Sequence, residues 1–404
     1  MNQETRNETP FGCPFKSNFT RRDFVKTSSI AAAGLIAGAC SKTQNPVNSQ
    51  TTVPEPFISQ NIPQHPNEIL ATVAYSDITD YEYKNLKTNI ESCLDAVSGV
   101  ADILPSGGTV GIKVNMTGGE ANADKSLNRF GLTVGELFWT HPAILKATCE
   151  LLLDAGASHI YVMEANYDEP SYTKFGYKDV VDELGIEYIN LNDPKPYADF
   201  LEIQIPQPLT HWESHFHHGL LHDVDCFVSL PKTKRHYGAG ITNAMKMMIG
   251  SVPLAKYAIT ANQSWRAKLH STSNSQNTNN YSGVASLVRT IVDLNKIRPT
   301  HLAICDAIKT ADNGEGTWST GFKAMDLNKL FVSKDPVAAD AYGTTLFGFD
   351  PRSADLEGAF AADSLPGSFS GTDNYLRIAE EQGLGIHDID KIQLIDATVH
   401  TGVV

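Results

Sequence analysis

An α/β fold, with a mixed, mostly parallel sheet flanked by helices in one or two lobes, is what this 404-residue sequence predicts. Three observations carry that expectation. Apolar runs of strand length alternate with segments of helical periodicity, the order that builds parallel sheets through crossover connections. The strand-length runs are apolar at most positions, as strands covered on both faces are. The composition, 41% hydrophobic and 19% charged, is that of a globular chain long enough to bury a large core.

The elements follow in order. "TVGIKVNM" (109–116) has a buried-strand pattern. "HPAILKATCELLLDAGA" is a helix, with Pro142 suited to its first turn and Gly156 to its end. The strand "HIYVMEA", the helix "YKDVVDELG" and the strand "IEYINL" come next. The second half repeats the theme with a strand in "DCFVSL", helices in "ITNAMKMMIG" and "GVASLVRTIVDLN", strands in "HLAICDA" and "KLFVSK", and a helix in "DPVAADAYGTTLFG". Asp335 is a natural cap for that last helix and Pro336 its first residue.

Residues 1–39 read as a targeting segment. "TRRDFVKTSSIAAAGLIAGACSK" carries Arg21 and Arg22, then Phe24 and Lys26, then an apolar run over 30–39 too short to span a bilayer. This pattern predicts export by the twin-arginine machinery to the periplasm or the cell envelope. Ala37-Gly38-Ala39 suits cleavage before Cys40. The same stretch resembles a relaxed lipobox with Cys40 as the lipidated residue, although Ala37 stands where Leu is usual, so soluble export and membrane anchoring are both open. A polar, Pro-rich tether is expected over 40–68 and the α/β domain over 69–404, with the polar run 271–282 as a loop or lid.

The formal net charge is −14, and −16 without residues 1–39. That excludes sequence-independent binding to nucleic acid, which needs a positive field. None of the six cysteines forms a C-x-x-C pair, so neither an iron–sulfur cluster nor a zinc ribbon has support. Cys93, Cys149, Cys226 and Cys305 are expected as buried thiols, with one disulfide allowed in an oxidising compartment.

Against that acidic background, "FVSLPKTKRHYGAGITNAMKMMIGSVP" stands out. An apolar strand ends in Lys232, Lys234, Arg235 and His236, then meets Gly238-Ala239-Gly240 and a segment read as a helix. Strand end, cations, glycines and a helix start are the parts of an anion cradle. Other polar residues also end strands, where open α/β sheets bind ligands: Lys113 and Asn115, Glu164 and Asn166, and Asp306. Lys113 lies between Ile112 and Val114, so its charge must be paired or used. Asp340, among alanines, is not explained by capping. In "HWESHFHHGLLHDVD", His211/His215 and His218/His222 share a face on a helix and His215/His217 on a strand, so the tract is a candidate metal site in either form. A metal near Glu164, Asp306 and Asp340 is the alternative.

Together "GIKVN", "HPAILKATCELLLDAGASHIYVMEA", "DVDCFVSLPKTKRH", "GITNAMKMMIGSVP", Leu269-His270, "AICDAI" and "VSKDPVAADAYG" resemble the domain of unknown function 362 family. The resemblance implies that Lys113, Asn115, Lys232, Lys234, His236, Lys246, Asp306, Asp335 and Asp340 are family-type positions. It implies no reaction. The loop after Asp306, "DNGEGTWSTG", departs from the family's Gly-Gly-Pro-like stretch, and the ferredoxin-like module of some relatives is missing. A looser similarity in architecture is to the nickel-dependent lactate racemase family.

The expectation is an exported protein with one anion- or cofactor-binding cleft. Lys113, Asn115, Lys232, Lys234, Gly238, Gly240 and Lys246 would hold a small anion or a cofactor. His236 would act as general acid or base, with Asp306 and Asp340 orienting it or binding a metal. A non-catalytic binding protein for an anion is the competing reading.

Overall fold

A computed structural model describes residues 69–236, 238–260, 265–270, 286–319, 321–353 and 374–400. The expected signal, tether and polar run 271–282 lie outside them. The strands are β1 (Ala71–Asp77), β2 (Thr109–Val114), β3 (His159–Glu164), β4 (Glu187–Asn190), β5 (Leu201–Gln204), β6 (Ser214–His217), β7 (Cys226–Leu230), β8 (Lys234–His236), β9 (Gly240–Thr242), β10 (Leu302–Asp312), β11 (Lys323–Ser333) and β12 (Ile392–Asp396). The helices packed on them include α1 (Tyr83–Ala96), α2 (Pro142–Asp154), α3 (Tyr177–Leu184), α4 (Leu287–Ile297), α5 (Pro336–Leu346) and α6 (Tyr375–Glu381).

Eight strands form one mixed sheet in the order β12-β1-β11-β10-β7-β2-β3-β4. Only β11 runs against its neighbours; every other pair in the sheet is parallel. Successive side chains point to opposite faces, and both faces are covered. Val73, Met163, Phe227, Cys305 and Phe331 belong to one core, with α4, α5 and α6. Ala74, Val162, Val228, Ile304 and Val332 belong to the other, with α1, α2 and α3. This two-sided burial is why the strand sequences are apolar at nearly every position. All four described cysteines are buried and free.

Local signals hold where capping sets them. Pro142 opens α2, with His141 Nδ1 accepting from the Ala143 amide at 3.1 Å. Asp335 accepts from the Val337 and Ala338 amides and Pro336 opens α5.

The segment "ITNAMKMMIG" is a correction. Instead of one helix it forms β9 and then the 3₁₀ helix Met245–Ser251. Gly240 takes φ +80° and turns the chain back, so that His236, Arg235 and Lys234 pair with Gly240, Ile241 and Thr242. The expected Gly-x-Gly cradle is thus a hairpin turn. Gly240, Ile241 and Thr242 belong to the ladder with β8, and the 3₁₀ helix begins only at Met245.

Candidate functional site

The carboxyl ends of β2, β3, β7 and β10 lie side by side in the sheet, and each carries polar groups. At β2 and β3, Lys113 Nζ meets Glu164 Oε1 at 2.8 Å and also donates to the Val114 carbonyl at 2.6 Å. Glu164 Oε2 accepts from the Met116 amide at 3.0 Å. Burial lowers the Lys113 ammonium's pKa, and the Glu164 charge pulls it back up. The 3₁₀ helix crosses directly over this pair. A Cβ on Gly250 would stand 2.9 Å from both Glu164 Oε1 and Lys113 Nζ, so only glycine admits that approach.

Around the pair opens a cavity of about 470 Å³, lined also by Asn115, Lys234, His236, Lys246, Arg266, His270 and Glu315. Its nominal charge is unbalanced, with four basic side chains facing two carboxylates. Lys234 is buried, and its ammonium donates to the Phe138 and Glu315 carbonyl oxygens at 2.9 and 2.8 Å. Desolvation, then the nearby Lys246 charge, drives its pKa well below the usual lysine value. Arg266 donates to the Val252 and Ala165 carbonyls. Lys246, on the 3₁₀ helix, makes no hydrogen bond or ion pair to any described residue. Burial, with Arg266 and Lys113 adding to it against Glu315, brings it down to about 8.

The two histidines present opposite nitrogens. His236 Nδ1 accepts from the Gly238 amide at 3.1 Å, so the neutral ring carries its proton on Nε2. His270 Nδ1 lies 2.7 Å from the Arg266 carbonyl oxygen, to which it can only donate, so its Nε2 holds the lone pair. Burial and the lysine charges keep both rings neutral, His236 well below its usual value and His270 down at about 3. His236 was expected as general acid or base; its Nδ1 is taken by an amide donor, so its neutral ring carries a proton on Nε2, whereas the neutral ring of His270 carries its lone pair there.

Of the residues expected at the site, Lys113, Asn115, Lys234, His236 and Lys246 line the cavity, while Lys232, Asp306, Asp340, Gly238 and Gly240 do not. Lys232 pairs with Asp306 across an extension of the β7–β10 ladder, Nζ to Oδ2 at 2.5 Å, both side chains fully buried. Its ammonium also reaches Tyr81 Oη and the carbonyls of Glu136 and Lys309. The ammonium is fully buried among these four partners. Asp306 accepts from Tyr81 Oη at 2.9 Å, and Tyr81 stacks on His141. Asp340 lies beneath the 3₁₀ helix, where Oδ2 accepts from Tyr375 Oη at 2.6 Å and from the Met245 amide at 3.3 Å. It holds the helix that carries Lys246 and does not line the cavity. Gly238 acts through its amide on His236.

Sequence reasoning left Arg266, His270, Glu315, Trp265, Trp318 and Tyr167 outside the site. The signal for Arg266 and His270 was present in "WRAKLH", where charged groups sit in a segment with no period of its own. In the histidine tract, His215 and His217 share the buried face of β6. His215 Nδ1 meets Tyr257 Oη and His217 Nδ1 meets His222 Nε2. Among the described residues no three His, Cys, Asp or Glu side chains come together as metal ligands.

Of the solved structures similar to this chain, one is the lactate racemase apoprotein from Thermoanaerobacterium thermosaccharolyticum, 10% identical, with a TM-score of 0.38 over 70% of this chain and 58% of that one. Another is a Thermotoga maritima protein, 11% identical, with a TM-score of 0.37 over 67% of this chain and 59% of that one. This chain therefore spans under two thirds of the length of each. No curated protein matches it in sequence. The family model for the domain of unknown function DUF362 matches residues 110–345, more than half of the sequence. The chain belongs to the DUF362 family.

Proposed function

We propose that this protein binds a small organic anion, a carboxylate or a phosphate, in the cavity over the Lys113–Glu164 pair, and that His270 removes a proton from it. One observation carries the reading: four basic side chains face two carboxylates, and Lys246 has no partner of its own among the described residues. A buried surplus of charge is costly unless something neutralises it. An anion held by Lys246, Lys234 and the Nε2–H of His236 would do so, and would set an acidic C–H or O–H against the free lone pair of His270. At rest burial keeps both histidines neutral, and the proton that His270 takes turns its ring into an imidazolium whose charge the anion bound beside it would offset.

The reading places the chain outside the cytoplasm. Its support there is the twin-arginine pattern at Arg21 and Arg22, with Cys40 as the new terminus and candidate lipid anchor. Fatty-acid labelling of the exported protein separates the anchored form from the soluble one.

Thermal unfolding tests the binding step. Phosphate, sulfate or a small carboxylate should raise the wild-type midpoint by mass action, and Lys246→Gln should weaken that anion about ten- to hundredfold, the cost of a lost charge-assisted hydrogen bond of about 1.5–3 kcal/mol. Affinity should also fall as pH rises through about 8, where Lys246 gives up its proton. No anion-dependent shift in the wild type would falsify the reading. Incubating bound carboxylates in D₂O and following their C–H signals by NMR tests the second step. Exchange that is lost in His270→Gln supports catalysis, whereas binding without exchange makes this a binding protein.

A further inference from the structure

The cavity's cations and its aromatic rings differ in where they sit. Lys113, Lys234 and Arg266 are at most 3% exposed, whereas Trp318 and Trp265, which also line the cavity, are 45% and 43% exposed. Lys113, Lys234, Arg266 and His236 are therefore deep, Lys246 is partly exposed, and the tryptophans stand at the open end. The other large exposed hydrophobics of the described residues lie elsewhere.

Trp318 is held, not loose. Its indole N–H donates to Glu315 Oε1 at 3.0 Å, and its ring meets Phe138 edge-on at 6.1 Å. Its benzo edge rests on two glycines, since a Cβ on Gly118 or Gly316 would come within 2.4 or 2.2 Å of that ring. Gly118 and Gly316 thus form a seat that any side chain would destroy. Trp265 packs edge-on against His270, the ring that holds the lone pair, at 5.3 Å. A fixed indole with nearly half its surface in water, beside a pocket that attracts anions, is what a stacking platform for another flat ring requires.

Resting on the anion-binding reading above, we propose that the ligand is an aromatic anion: its carboxylate or phosphate enters among the lysines and its flat ring stacks on Trp318 and Trp265. A cavity of about 470 Å³ suits a ligand of that size.

Isothermal titration calorimetry on the exported, processed protein tests this with matched pairs, benzoate against cyclohexanecarboxylate and phenyl phosphate against cyclohexyl phosphate. The two pairs also separate a carboxylate site from a phosphate site. Within the pair that binds, the aromatic member should bind about tenfold tighter or more, as stacking on an aromatic side chain implies. Trp318→Leu and Trp265→Leu should each shrink that ratio and the double variant should abolish it, while Lys246→Gln weakens both members and leaves the ratio intact. Trp265→Leu guards the test should Trp318→Leu disturb the glycine seat. Equal binding of both members in the wild type, or a ratio that survives the double variant, overturns the inference and leaves the anion-binding reading standing. If none of the four anions binds, that reading fails and the inference falls with it.

Discussion

Lys232→Ala should lower the free energy of unfolding by about 3–5 kcal/mol, the cost of removing one partner from a buried ion pair and stranding the other. Both side chains are fully buried, and four hydrogen-bonding partners surround the ammonium. Its loss strands the Asp306 carboxylate, which burial already disfavours. It also leaves the Glu136 and Lys309 carbonyls without that donor. Asp306→Asn should be damaging for the reciprocal reason. The variant Lys232→Met/Asp306→Leu should recover much of the loss, because it removes both desolvated charges together. Urea titrations of the three variants measure this. A midpoint for Lys232→Ala close to wild type would mean that water reaches the pair. Lys234, two residues along, has no carboxylate within ion-pair distance among the described residues, so its loss should be read chiefly in anion binding.

The second large effect is expected on acidification. Burial holds His141 and His270 down at about 3 and His215, His222 and His301 down at about 4. The unfolded chain takes up protons on these rings near pH 6.5 and the native state does not. The contribution of these rings is therefore constant above pH 7 and is lost as pH falls from about 6.5 toward 4. Asp340, raised to about 7, and Asp335, raised to about 6, act in the opposite sense, because the folded protein protonates them first. His217 and His236 are lowered well below their usual value too, so these rings outnumber the two raised carboxyls, and each net proton is worth about 1.4 kcal/mol per pH unit. Urea midpoints at pH 7, 6 and 5 should fall steeply, and a level profile across that range would show that the rings charge in place. Changing His215 or His222 alone to Gln should flatten the slope by about one proton's worth.

Much of the fold was legible because the strands are buried on both faces and so announce themselves as apolar runs with polar ends. Lys113, a charge inside such a run, had to be paired, and Glu164 on the adjacent strand pairs it. Lys232 and Lys234 could not be told apart, since both follow the same strand and what separates them is Asp306, more than seventy residues on. The helix expected over Met245 lost to tertiary demands. Asn243 bonds Thr233 Oγ1 and the Ala339 carbonyl, and Asp340 takes the Met245 amide, so the segment follows its partners and not its period. Arg266, His270, Glu315 and Trp318 lie in connections, where no periodicity marks a residue as inward-facing. The tautomers of the two histidines depend on single backbone groups that no pattern encodes.

The first strand of the sheet has no neighbour from its own part of the chain. β1 pairs with β11 on one side and β12 on the other, so Ala74 meets Val332 and Ile395. During synthesis β1 must wait for some two hundred and fifty further residues before either edge can be covered. Loop closure over that span is slow, and an unpaired apolar strand is a template for association with other chains. Folding of this domain is therefore expected to be post-translational and late. A chain shortened before Ile392 would keep every residue that lines the cavity and still leave one edge of its first strand permanently open.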